Sequence, residues 1–301
     1  MAAGAVTNMV YMVVLIALVI GVLLLGSLVM TLSREGGAAL FVHPRLPDPG
    51  APPDGSGLRA VAYPTADGAT LTAWTAEPTG ARPLVLILAG PGQRRADLAG
   101  LASALVANGY GVMLTCRRPA SLITGEWGEA ALLADARAAL DHLTARGVSG
   151  SRLVILAVSA AAALALQMAW ERRPAALVLA APPTSGAELL VGRWHLAPLA
   201  GMAANPLAVV RRLAVAPPAC PLLVLHGLAD RSVPPAMGRA VFQAAPEPKQ
   251  AAWIKGAGHA DLWDKGGTDA LLDFLAGRKG PATTLEQEAP RRAPGLPAVR
   301  P

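Results

Sequence analysis

Cysteine is nearly absent. The two in 301 residues, Cys116 and Cys220, form no CxxC pair and have no metal-ligand spacing, which argues against a cysteine-held metal or a redox dithiol. Each falls beside an expected strand and reads as a buried free thiol. Charge is also scarce. Only 15% of residues are charged against 53% apolar, a balance that points to a membrane segment inside an otherwise globular chain. The net charge of +6 is not gathered into a basic stripe with interleaved aromatics, and aromatics make up only 4%. Much of the surplus sits near the C-terminus, at Arg278, Lys279, Arg291, Arg292 and Arg300. No nucleic-acid partner is implied. The stretch Gly90-Pro91-Gly92-Gln93-Arg94-Arg95 lacks the G-K-[ST] ending of a phosphate-binding loop, so Arg94 and Arg95 read as solvated basic residues.

What the chain has in quantity is apolar sequence. Met9 to Leu32 runs 24 residues without a charge, roughly 36 Å as a helix, enough to span a bilayer core with some tilt. No Lys or Arg precedes the run, and Val29-Met30-Thr31-Leu32 makes a poor cleavage site. Residues 8–32 therefore read as an uncleaved single-pass anchor rather than a signal peptide. Arg34 and Arg45 follow the span. Taken literally, the positive-inside rule puts the rest of the chain in the cytoplasm, but two arginines, one beside Glu35, leave the face open.

Residues 33–57, rich in Pro and Gly, read as a linker. Residues 58–279 then alternate apolar strands and helical stretches. Expected strands are Leu58–Tyr63, Thr70–Thr75, Leu84–Leu88, Gly111–Thr115, Leu153–Leu156, Ala176–Leu179, Leu222–Leu225 and Ala251–Ile254. The first two flank a hairpin turn at Ala66-Asp67-Gly68. Expected helices are Arg95–Ala107, Ala130–Arg146, Ala160–Arg172, Pro235–Ala244 and Asp269–Gly277. The pattern predicts an α/β domain with a mostly parallel sheet flanked by helices. Between Ser185 and Val215 the rhythm breaks, and residues 184–216 are expected to form a small cap. Residues 280–301 carry no usable period and are expected to be disordered.

One hydroxyl stands out. In Leu153–Ala169, LVILAVSAAAALALQMA, a buried strand runs into Ser159 and then into a strong helix former. A strand turning sharply into a helix presents its corner residue at the C-terminal edge of the sheet, where open α/β sheets bind ligands. Positions two before and two after must be small, and they are Ala157 and Ala161. The usual pattern is G-x-S-x-G, and this chain has A-x-S-x-A. A nucleophilic serine needs a histidine to take its proton and a carboxylate to orient that histidine. The loop after Leu222–Leu225 supplies Asp230 and the loop after Ala251–Ile254 supplies His259. The order Ser159, Asp230, His259 is a hydrolase order.

At HGLADRSVP and GAGHADLW the chain resembles the α/β-hydrolase superfamily, in particular its serine-aminopeptidase-like, membrane-anchored group, marked by HGxxDxxVP and GxGHxDLW. The likeness extends through PLVLILAG, GYGVMLTCRRP, LVILAVSAAAALAL and LVLAAPPTS, over roughly residues 58 to 275. It implies the α/β-hydrolase fold, with Ser159 as nucleophile, His259 as general base and Asp230 as the orienting carboxylate. The oxyanion hole then falls to Ala160 and to the loop of Gly90, Pro91 and Gly92. That loop departs from the usual His-Gly-x. Pro91 stands where the second amide donor belongs, and proline has no N–H. Gly92 is the substitute.

The expected activity is cleavage of an ester, thioester or amide through an acyl-Ser159 intermediate, with no metal or cofactor. A small-molecule or lipid-like acyl substrate suits an anchored enzyme. Transfer of the acyl group to an alcohol is a weaker variant. The competing expectation is a catalytically impaired hydrolase-fold scaffold or binding module. Gly90, Trp194 and His195 are pocket candidates, with Trp194 and His195 equally explained by packing of the cap. His226 reads as a locally hydrogen-bonded strand-end residue. Asp261 reads as a helix-capping or solvated carboxylate.

Overall fold

The structure is a computed structural model that describes residues 11–12, 15–16, 18–24, 26, 50–90, 92–115, 118, 129–148, 150–186, 188–189 and 208–277. Strands β1 (Arg59–Pro64), β2 (Thr70–Ala76), β3 (Leu84–Leu88), β4 (Gly111–Thr115), β5 (Leu153–Val158), β6 (Ala176–Ala180), β7 (Leu222–Gly227) and β8 (Lys249–Ile254) form one sheet in the order β1-β2-β4-β3-β5-β6-β7-β8. β2 pairs antiparallel with β1 and β4, and every other neighbouring pair is parallel. The mostly parallel sheet expected from the sequence is present, with the hairpin turning where Gly68 adopts φ 82°.

The central strands read as unbroken apolar runs because both of their faces are covered. In β5, Leu153, Ile155 and Ala157 enter one core while Val154, Leu156 and Val158 enter the other. Each Leu, Ile or Val so buried contributes roughly 1.5–3 kcal/mol of transfer free energy. Helices α2 (Glu129–Ala145), α3 (Ala162–Arg172), α4 (Val209–Val215) and α5 (Pro235–Ala244) cover the first face. Helices α1 (Ala99–Ala107) and α6 (Thr268–Leu275) cover the second. α3 closes with Arg173 in the left-handed region, φ 46°, a common helix C-terminus.

Two helix starts differ from the sequence reading. Arg95–Leu98 is a 3-10 turn ahead of α1, tightened by Asp97, whose carboxylate accepts the Arg94 N–H at 2.9 Å. Ser159–Ala161 is likewise a 3-10 turn before α3. Before α6, Trp263–Gly267 forms a wider turn broken at Gly266, φ 111°. Arg95 is a further correction. It is 2% exposed rather than solvated, with its guanidinium 5.3 Å from the Trp74 ring centroid. Cys220 is buried, and burial pushes its thiol up to about 11.

Several expectations lie wholly or largely outside the described residues: most of the anchor, most of the linker and cap, the C-terminal tail, and Pro91, Cys116, Trp194 and His195. Among the described residues no helix is long and apolar enough to cross a membrane.

A buried cation ties the hairpin to the helical layer. Arg118, its side chain 3% exposed, donates from Nη1 to Asp67 Oδ2 at 2.6 Å and from Nε to both Asp135 oxygens at 3.1 and 3.0 Å. The Arg118 hydrogen bond, aided by Thr65, holds the Asp67 carboxyl far below the usual range. Removing the cation strands Asp135 in a dry site. Arg118→Met is expected to lower unfolding free energy by about 3 kcal/mol, and Asp67→Asn by much less because Asp67 is half exposed. Urea denaturation of both variants checks the ranking.

Candidate active site

The C-terminal ends of β3, β5, β7 and β8 meet at one edge of the sheet. β5 ends at Val158, and Ser159 follows at φ 57°, a left-handed conformation costly for any side-chain-bearing residue. Ala161 is ordinary right-handed helix, φ −63°. The elbow therefore needs no glycine torsion at its flanks. It needs small volume, and Ala157 and Ala161 are fully buried there.

Gly90 explains itself by proximity. A Cβ on it would lie 2.8 Å from the Val158 carbonyl oxygen and 3.2 Å from Ser159 Cβ. The loop after β3 thus presses backbone to backbone against the elbow. The Gly90 N–H donates to Gln93 Oε1 at 2.9 Å, and Gly92 turns the loop with φ 76°. The involvement of the Gln93 side chain was not legible in the sequence, where only the glycines flagged this loop.

Asp230 and His259 meet as expected. The Asp230 side chain is completely buried. Its Oδ1 accepts the N–H groups of Ser232 and Val233, both at 2.8 Å, and its Oδ2 accepts from His259 Nδ1 at 2.7 Å. Burial pushes this carboxyl up, but the bonds from His259, Val233 and Ser232 outweigh burial and leave it below its ordinary value. An ionised acceptor fixes the proton on His259 Nδ1, so Nε2 carries the lone pair. The His259 side chain remains 22% exposed. Among the described residues the Ser159 hydroxyl donates no hydrogen bond to His259. The carboxylate–imidazole bond is therefore the one that is made.

The supporting residues spell out the motif around them. A Cβ on Gly227 would lie 2.4 Å from the Ala257 carbonyl oxygen, so only glycine lets the two loops touch. They are stitched by Ala229 N–H to Ala257 O at 2.8 Å and Leu228 N–H to Ile254 O at 2.9 Å. Asp261 caps the histidine loop rather than α6, its Oδ1 accepting the Gly258 N–H at 2.6 Å and its Oδ2 pairing with Lys265 at 2.7 Å. His226, with no exposed surface, donates from Nε2 to the Val233 carbonyl at 3.0 Å and stands 3.7 Å from Asp230 Oδ2. Its Nδ1 has no partner, because the bare Cα of Gly238 in α5 packs against it. Among the described residues no group of His, Cys, Asp and Glu could hold a metal ion.

An open, mostly parallel sheet whose rim carries a strained serine and a buried carboxylate–histidine pair defines the class of fold: it is the α/β-hydrolase fold. No family model matches it. It is 34% identical over 223 residues, 72% of this chain and 79% of theirs, to two proteins of Mycobacterium tuberculosis: uncharacterized protein Rv2307c of strain ATCC 25618 / H37Rv and uncharacterized protein MT2364 of strain CDC 1551 / Oshkosh. The chain belongs to the family of these mycobacterial proteins. Among solved structures it is similar to the Pyrococcus furiosus esterase Pf2001, with TM-score 0.62 and 16% identity over 80% of this chain and 98% of that one. It is also similar to the esterase domain of a Rhodothermus marinus protein, with TM-score 0.55 and 18% identity over 73% and 96%.

Two outcomes follow from the packing of His226. Burial holds it below its ordinary 6.5, against the opposing pull of Val233 and Asp230, while His259 and Arg239 push the same way as burial. Near pH 6.5 the unfolded chain binds a proton that the native His226 refuses. Its contribution is complete above that pH and is lost as pH falls below it. His142 is shifted in the same direction by burial. The urea midpoint is expected to fall between pH 7 and 5.5, less steeply in His226→Gln, which keeps a donor for Val233. Gly238→Ala would place a carbon 2.2 Å from His226 Nδ1. It is expected to destabilise by about 1–3 kcal/mol, although Gly→Ala inside a helix ordinarily stabilises by up to ~1 kcal/mol. Equilibrium unfolding reads the sign directly.

Proposed function

We propose that the chain is a membrane-anchored serine hydrolase cleaving an ester, thioester or amide through an acyl-Ser159 intermediate. The observation that carries this reading is Ser159 held at φ 57° on a strand–helix corner, on the sheet edge that also carries the hydrogen-bonded His259–Asp230 pair. Strain of this kind costs roughly 1–3 kcal/mol and collects where function uses it.

In this mechanism Ser159 Oγ bonds the carbonyl carbon while its proton passes to His259 Nε2. The carbonyl π pair moves onto oxygen, facing the Ala160 amide. Asp230 steadies the imidazolium through the Nδ1–H bond. As the pair returns, the bond to the leaving group breaks, and His259 protonates the departing alcohol, thiol or amine. Water, deprotonated by His259, then attacks the acyl carbon; as the carbon–Oγ bond breaks, His259 returns the proton to Ser159 Oγ and the acid is released. Esterases among the structural neighbours support ester chemistry. Residues 8–32 supply the anchor in this reading. The helical residues described there, Tyr11, Met12, Leu15, Ile16, Leu18, Val19, Ile20, Val22, Leu23 and Leu24, all expose half or more of their surface. Apolar side chains on every side of a helix suit lipid rather than water. A lipophilic acyl substrate near the bilayer fits that location.

A fluorophosphonate probe is expected to label the wild-type protein at Ser159 and to leave Ser159→Ala unlabelled. Asp230→Asn should lower kcat on a short acyl ester by about 10⁴-fold. Absence of labelling in the native wild type would favour the non-catalytic scaffold. Replacing Leu18 and Leu23 together by Lys should make the full chain extractable by alkaline carbonate, and continued membrane retention would count against the anchor.

A further inference from the structure

Acyl transfer needs two donors on the developing oxyanion, and the loop after β3 has lost one of them at Pro91, which has no N–H. The same loop carries a different donor. Gln93 Oε1 accepts the Gly90 N–H at 2.9 Å. The NH₂ of a carboxamide cannot accept a hydrogen bond from an N–H, so this bond assigns which end of the carboxamide is which. The NH₂ end is then the opposite one. Among the described residues it donates to no group, and it is not sealed inside the protein. The place is equally constrained. Gln93 Oε1 and Ser159 Cβ lie 3.1 and 3.2 Å from one point, the position a Gly90 Cβ would occupy. A half-buried side-chain amide, clamped by its oxygen next to the nucleophile with its donors unspent, is preorganised to receive charge.

We propose that the Gln93 side-chain amide is the second oxyanion-hole donor, standing in for the backbone N–H that Pro91 lacks. The proposal rests on the acyl-Ser159 reading above and names a further catalytic residue for it. When Ser159 Oγ bonds the carbonyl carbon, the π pair lands on the carbonyl oxygen. Gln93 Nε2 then donates a hydrogen bond to it without giving up a proton, and the bond relaxes when the pair returns and the leaving group departs. Glycine at position 90 is part of the same device, since any side chain there would part the carboxamide from the elbow.

Two substitutions separate donation from scaffolding. Gln93→Glu keeps an oxygen for the Gly90 N–H but brings no donor and adds negative charge beside the oxyanion. Gln93→Met keeps the length and loses both functions. If Gln93 donates, both variants lose about 10²–10³ in kcat on a p-nitrophenyl ester, with KM little changed, and Glu is no better than Met. Thermal midpoints within a few degrees of wild type show that the fold is intact. If Gln93 only braces the loop, Glu retains wild-type kcat while Met falls, which overturns the proposal. Wild-type kcat in both variants overturns it as well and hands the role to the Gly92 N–H. Fluorophosphonate labelling of the wild type keeps the two layers apart: labelling with unaffected variants removes only Gln93, and no labelling removes the hydrolase reading along with it.

Discussion

The site depends on two places where one backbone is allowed to touch another. At Gly227 a missing side chain brings the loop after β7 against the carbonyl of Ala257. At Gly90 it brings the loop after β3 against the end of β5. A parallel sheet spaces its strands about 4.8 Å apart, so loops leaving neighbouring strands do not meet unless something lets them lean together. The first contact lets a carboxylate from one loop reach a histidine from the next at 2.7 Å. The second holds the loop after β3 against the serine corner. Side-chain chemistry at this rim is set by what the glycines leave out.

The elbow makes the same point from the other direction. The usual glycines on either side of a nucleophilic serine invite an explanation by torsion, but here Ala157 is strand and Ala161 is right-handed helix. Only Ser159 pays a conformational cost. What the flanking positions require is lack of bulk under a sheet covered on both faces, and alanine satisfies that. A-x-S-x-A therefore keeps the geometry of the corner.

Much of this was legible in the chain. Unbroken apolar runs mark strands buried on both faces, and the eight expected strands correspond to β1–β8 with ends displaced by a few residues. Asp230 and His259 were legible because each lies within a few residues of the end of an apolar strand, among turn residues. Arg95 was not. Its burial against Trp74 depends on β2 lying near the loop after β3, a relation between distant segments that local polarity cannot express. Asp261 is partly solvated, one of the two expectations for it, but it does not cap α6. It lies within reach of α6 in sequence, yet it caps its own loop at Gly258, three residues back, as short carboxylates often do. The 3-10 starts of the helices follow from caps and corners rather than from propensity. Gln93 was unreadable because a glutamine beside glycines looks like any solvated loop residue until its partner is known.

Two titratable groups stand 3.7 Å apart under the rim, and their surroundings drive them to opposite states. Asp230 receives three N–H donors and stays ionised despite full burial. His226 has one bond to a carbonyl, and Gly238 fills the space where a partner for its second nitrogen would sit. Burial then keeps it neutral. Were His226 to hold a proton, it would neutralise Asp230 from beneath and weaken the carboxylate's pull on His259 Nδ1. Kept neutral, it braces the aspartate loop through Val233 without drawing on its charge. Of these two groups only Asp230 is charged, and the N–H groups of Ser232, Val233 and His259 converge on it. The polar core beneath the rim is built around one buried carboxylate, held ionised by hydrogen bonds.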